Sequence, residues 1–166
     1  MIPKRRLLSW AVVVFAVTIA GLFFTYQAVH NYKAPWGQML TWQMTWWYLW
    51  LSLFPLVRVM TRRFPPERRG WRRILLIHIL AGELITLLHT ALHAVTLVVI
   101  RWCFDHMALA FWSTFRDSME ELNLQLGIVT YTILVSITCV VDYYNRLRAR
   151  EVETSHLQME LAQTQF

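Results

Sequence analysis

Four stretches of this chain are apolar over a length that crosses a bilayer, and this constrains the fold before any other feature does. They are residues 7–28, 39–57, 74–100 and 122–141. A hydrocarbon core of about 30 Å takes about 20 helical residues. Backbone N–H and C=O groups find no water there, so a continuous apolar segment satisfies them internally, as a helix. The first, second and fourth stretches hold no charged residue, and the third holds one, Glu83. Only 16% of the chain is charged, against about a quarter in ordinary soluble domains. The expected fold class is an all-α, polytopic membrane protein. Its four transmembrane helices form one domain, residues 1–141, with a cytoplasmic, coiled-coil-like helix over 142–166.

Charge sets the expected orientation. The net charge is +6 and the pI about 9.8. Lys4, Arg5 and Arg6 precede the first stretch. Arg58, Arg62, Arg63, Arg68, Arg69, Arg72 and Arg73 separate the second from the third, and Arg146, Arg148 and Arg150 follow the fourth. If all four stretches span, these thirteen basic residues share one side, and Lys33, Arg101 and Arg116 share the other. Such an imbalance marks the cytoplasmic side, which places both termini in the cytoplasm. Charges at these positions suit the anionic lipid of a bilayer rather than nucleic acid. The basic N-terminus is not read as a cleaved signal peptide, because the apolar run is too long and lacks a small-residue cleavage site. Cys103 and Cys139 fall at opposite ends of their spans, beyond disulfide reach.

The connections carry their own signals. Pro35-Trp36-Gly37 reads as the outer turn between the first two spans. Trp42, Trp46, Trp47, Tyr48 and Trp50 crowd the second span; the outermost suit an interfacial belt. Trp46, Trp47 and Trp50 reach deeper, to pack in the bundle or to line a pocket for an aromatic or lipid-like ligand. Pro55 predicts a kink, and Pro65-Pro66 ends the helix before a basic inner loop. That loop fixes topology, or in addition contacts a cytosolic domain. Over residues 101–121, Phe104, Ala108, Phe111, Trp112, Phe115 and Met119 recur at helical spacing among polar residues. This predicts an amphipathic helix on the outer leaflet. Phe111, Trp112 and Phe115 are its candidate outer-face sensing residues; the plainer reading is a connector.

Polar groups inside the third span are the candidate intramembrane sensing residues: His78, Glu83, His89 and His93. An ionisable group in hydrocarbon is costly unless paired, protonated or hydrated, and so marks function by default. Glu83 lies four residues from the middle of this span, about 6 Å toward the cytoplasm at about 1.5 Å per residue. His89 and His93, four apart, share a helical face with His78, whereas Glu83 points away from it. A zinc or copper ion needs a third ligand that this face does not supply. Readings that remain are hydrogen bonding within the bundle, proton sensing, or a polar ligand pocket at Glu83.

No Gly or Pro occurs from Ile128 onward, so the fourth span is expected to continue unbroken into the charged tail. Leu147, Thr154 and Leu161 recur every seven residues, and Leu157 and Thr164 supply a second seam position. Val152, Met159 and Phe166 form another register. This short seam fits a two-helix connector in a homodimer.

The run DYYNRLRAREVETSHLQMELAQTQF resembles the connector of the LytS/YehU-type sensor histidine kinases, in which a basic membrane exit leads to L-x-x-x-L-A-Q-x-Q. The run WWYLWLSLFPLVRVMTRRFPPERRGWRRILLIHILAG is similar to the second and third spans of that family's four-helix membrane type. The resemblance implies the input region of a two-component kinase in a bacterial inner membrane. It also implies a homodimer signalling to a LytTR-type response regulator. The family's Pro-His-Phe-Leu-Phe-Asn phosphoacceptor motif and its ATP-binding domain do not occur in these residues, and His156 does not match the motif. No catalytic residue, metal or cofactor site is therefore assigned here; ATP and Mg belong to the kinase core. The alternative is a small membrane carrier or ion- or metal-binding protein working through Glu83, His89 and His93. A purely structural adaptor is a third reading.

Overall fold

The computed structural model describes residues 4–65, 70–104, 110–122 and 124–164. They form five helices: α1 (Lys4–Tyr32), α2 (Trp36–Arg63), α3 (Trp71–Phe104), α4 (Phe111–Leu122) and α5 (Leu124–Thr164). No strand occurs among the described residues. Three helices, α1, α3 and α5, are long and apolar enough to cross a membrane. α2 has 28 residues, but threonines, glutamines and indoles dilute its apolar character.

Pairing between helices gives an up-and-down order. Thr18 bonds Tyr48 while Gly21 meets Met44, so α1 and α2 are antiparallel. Trp42 packs on His93 and Trp46 on His89, so α2 and α3 are antiparallel. Gly82 meets Tyr131 and Gly127 meets Thr86, which makes α3 and α5 antiparallel. α2 thus runs alongside its neighbours over the same depth. The buried core draws on α2, α3 and α5, with Trp46, Trp50, Val57, Ala81, Ile85 and Tyr131.

The outer turn differs from the expectation at Pro35-Trp36-Gly37. Trp36 and Gly37 already belong to α2, and Pro35 sits at its N-cap with φ −59°. Proline suits a helix start, where a missing N–H leaves no bond unmade. The chain reverses at Lys33, whose φ of 51° is left-handed. At the other end α2 stops at Arg63, with Phe64 as C-cap. The predicted outer segment is divided: its first residues close α3, Ala108 lies outside the described residues, and α4 supplies the amphipathic part. α4 turns Thr114 and Ser118 into the bundle and leaves Trp112 exposed.

Small residues allow α3 and α5 to approach closely, as membrane helix pairs require without a hydrophobic force between them. A methyl group on Gly127 would collide with the Thr86 side chain, and one on Gly82 would lie 2.9 Å from the Tyr131 ring. Thr86 is buried within α3, so the neighbour has little room to give. Gly127→Leu is expected to destabilise the bundle by about 1–3 kcal/mol through overpacking, and Gly37→Leu, with open space around it, to be near neutral. Reversible unfolding in bicelles measures both.

Candidate functional site

Trp42, Trp46 and Trp50 are four residues apart and form one stripe on α2. The opposing stripe on α3 is His89 and His93, both fully buried. The two interlock. The His89 ring stacks on Trp50 at 4.7 Å and meets Trp46 edge-on at 4.1 Å. His93 meets Trp42 at 4.8 Å. The two imidazoles are nearly parallel, 6.2 Å apart.

Their hydrogen bonds fix the tautomers. His89 Nε2 lies 3.1 Å from the Trp46 carbonyl, and His93 Nε2 lies 3.2 Å from the Trp42 carbonyl. A carbonyl oxygen only accepts, so each Nε2 carries hydrogen and donates. In the neutral ring this leaves Nδ1 as an acceptor, and neither Nδ1 has a hydrogen-bond partner among the described residues. Nε1 of Trp47 and Trp50 and Oγ1 of Thr86 are buried in the same condition. Each such group costs about 1–3 kcal/mol while unpaired. The layer is closely packed but under-satisfied in hydrogen bonding.

His78 does not join this layer. Its Nε2 donates to the Phe64 carbonyl at 2.8 Å, and in the neutral ring Nδ1 accepts from the Tyr131 hydroxyl at 2.9 Å. One imidazole therefore ties the end of α2 to the middle of the apolar run of α5. Glu83 faces the other way. Its side chain is exposed on the outward side of α3 between exposed Leu80 and Leu84, and it makes no ion pair or hydrogen bond among the described residues. Among those residues no group of three or more His, Cys, Asp or Glu side chains is placed to hold a metal.

An ion pair that the sequence analysis did not foresee joins the end of α2 to α5. Asp142, the first charged residue after the apolar run, receives two hydrogen bonds from Arg62, Nε at 3.0 Å and Nη2 at 2.8 Å. This fork clamps the end of α2 to α5 where α5 leaves the apolar run. The hydrogen bonds from Arg62, with the added field of Arg58 and Arg146, hold the Asp142 carboxyl below its ordinary value. A carboxyl depressed in the folded state stabilises above its unfolded pKa, about 3.9, and loses that contribution as pH falls through the folded value. The clamp therefore stays closed at neutral pH. An acidic residue just past the apolar run, opposite a basic loop, was the available signal.

At the end of the bundle away from this ion pair, Phe111, Trp112 and Phe115 cluster on α4, with Trp112 76% exposed. Apart from that cluster, a cavity of about 600 Å³ opens between α1 and α2 and reaches α5 at Leu126, walled also by Phe24, Trp42, Gln27, Asn31 and Gln43. The seam residues Leu147, Thr154, Leu157 and Leu161 are all exposed, as is every residue from 143 to 163.

These helices define an all-helical architecture compatible with a multi-pass membrane protein. No family model, curated protein or solved structure matches the chain.

Stacking dominates over hydrogen bonding in the His89 layer. Interhelical hydrogen bonds in membranes average about 0.6 kcal/mol, whereas deleting a buried ring costs about 3–5 kcal/mol. His89→Phe is expected to lower stability by less than about 1 kcal/mol, and His89→Ala by several times more. Unfolding in bicelles distinguishes the two; equal losses would contradict the stacking account.

Proposed function

We propose that this chain is the transmembrane input region of a sensor histidine kinase. Its LytS/YehU-type resemblance covers the second and third spans and the connector. In this reading all four apolar stretches span a bacterial inner membrane, and both termini are cytoplasmic. α5 carries the signal to a kinase core that binds ATP and Mg, and a LytTR-type response regulator receives the phosphoryl group. The working state is a homodimer.

The observation that carries the reading is α5 itself, a single 41-residue helix from apolar run to charged tail. At about 1.5 Å per residue it is about 60 Å long, twice a hydrocarbon core. A helix of this length transmits rotation or displacement that a flexible linker dissipates. Its contacts suit control. The outer cavity reaches Leu126, His78 bonds Tyr131, and Arg62 clamps Asp142. A stimulus that shifts α2 or α3 meets α5 directly, and one that shifts α1 acts through α2. In this dimer the heptad seam of the tail pairs with that of a second tail. The carrier reading is less well supported, because Glu83 points away from the face that buries His89 and His93.

Each inserted residue turns a helix by about 100°. In a chimera joining this chain to a kinase core, inserting one or two alanines after Arg150 is expected to lock autophosphorylation on or off. Inserting seven restores the seam and preserves control. Output indifferent to insertion length refutes the lever.

The clamp gives a second test in the same chimera. Arg62→Asp and Asp142→Arg are each expected to alter basal output, and the double exchange to restore it. Unaltered single variants show that α5 passes its signal without the clamp. For topology, a cysteine replacing exposed Arg63 is expected to resist labelling from outside intact cells; outer-side labelling contradicts a cytoplasmic loop.

A further inference from the structure

The one carboxylate in the apolar spans points out of the bundle. Gly82 packs on Tyr131, which lies in the middle of the apolar run of α5. Glu83, the next residue, therefore sits near mid-membrane. A carboxyl that faces hydrocarbon at that depth is costly, and acyl chains offer it no hydrogen bond.

The surface around it is patterned. Leu76, Leu80, Glu83 and Leu87 are spaced by four, three and four residues, a heptad seam with one polar member. Leu76 is 61% exposed, Leu80 60% and Leu87 40%. The seam is bounded toward the outer face, where Thr90, Ala94 and Leu97 are buried and α4 packs on α3. The unpartnered face is thus a short leucine strip centred on Glu83.

We propose that this strip is the homodimer interface within the membrane, with the α3 helices of two copies crossing at Glu83. The argument for a second copy is one of depth. No other apolar span of this chain carries Asp, Glu, Lys, Arg or His. Two copies inserted in the same orientation present identical side chains at identical depth. A two-fold axis through the strip then sets carboxyl against carboxyl, one acid donating its O–H to the other. Flanking leucines close over the pair and exclude lipid. A single polar residue in an apolar seam fixes register and partner number, as buried asparagine does in coiled coils. The inference rests on the membrane-spanning reading of α3 and specifies the dimer named above. It needs no kinase activity, so its failure and that of the sensor reading are separable.

The test uses the full chain, with Cys103 and Cys139 replaced by serine, reconstituted in phosphatidylcholine–phosphatidylglycerol vesicles. Leu87→Cys on the seam is expected to cross-link to its partner copy within minutes. Leu88→Cys, at the same depth but about 100° around the helix, is expected to cross-link at least tenfold more slowly. Monomer–dimer equilibria by energy transfer give the second readout. Glu83→Gln, whose amide both donates and accepts, is expected to stay within about threefold of the parent. Glu83→Leu, which suits lipid and leaves the monomer folded, is expected to weaken dimerisation at least tenfold. Equal cross-linking at 87 and 88, a monomer at every protein-to-lipid ratio, or undiminished dimerisation of Glu83→Leu overturns the proposal.

Discussion

α3 holds its two neighbours by different chemistry, and the arrangement of the bundle depends on that asymmetry. Toward α2 it presents His89 and His93, which insert between indoles and donate to backbone carbonyls. Toward α5 it presents Gly82 and Thr86, which let the backbones approach. The first contact is broad and aromatic, and the second is narrow and tolerates little added volume. Helices in lipid gain nothing from burying apolar surface against each other, so such specific packing decides the arrangement. His78 then bridges both neighbours, through Phe64 on one side and Tyr131 on the other.

Polar groups in this bundle fall into three conditions with different consequences. His78 is satisfied at both ring nitrogens, and its role is to join helices. His89 and His93 are half satisfied, and Trp47, Trp50 and Thr86 leave further buried polar atoms near by. A layer with unmet hydrogen bonds has less to lose when helices shift than a fully bonded one. Glu83 has no partner among the described residues and lies on the outside. Its energetic need is the largest of the three, since a carboxyl loses more on leaving water than a neutral ring does.

The sequence made the helices legible because apolar length and the absence of Gly and Pro speak directly to the backbone. α5 runs through residue 142 without a break, as the lack of helix breakers from Ile128 onward predicts. Helical periodicity also separated Glu83 from the histidine face. Periodicity says which residues share a face, not which helix that face meets. Spacing therefore groups His78 with His89 and His93, although in the structure it joins Tyr131 of α5 to Phe64 at the end of α2. The turn was displaced from Pro35-Trp36-Gly37 to Lys33 because proline starts helices as readily as it ends them. The Arg62–Asp142 clamp joins residues 80 apart, and only the packing of α2 against α5 brings them together.

The central claim is that α5 is one stiff rod from the middle of its apolar run into its charged tail. Nitroxide labels at Ile133 and Glu153, both exposed, lie on either side of the exit point. In spin-diluted vesicles, double electron–electron resonance measures the separation within one chain. Twenty residues of continuous helix predict a narrow distribution centred at about 30 Å. A broad distribution, or a centre many ångströms shorter, would mean that the helix breaks at the membrane surface, and would contradict the account.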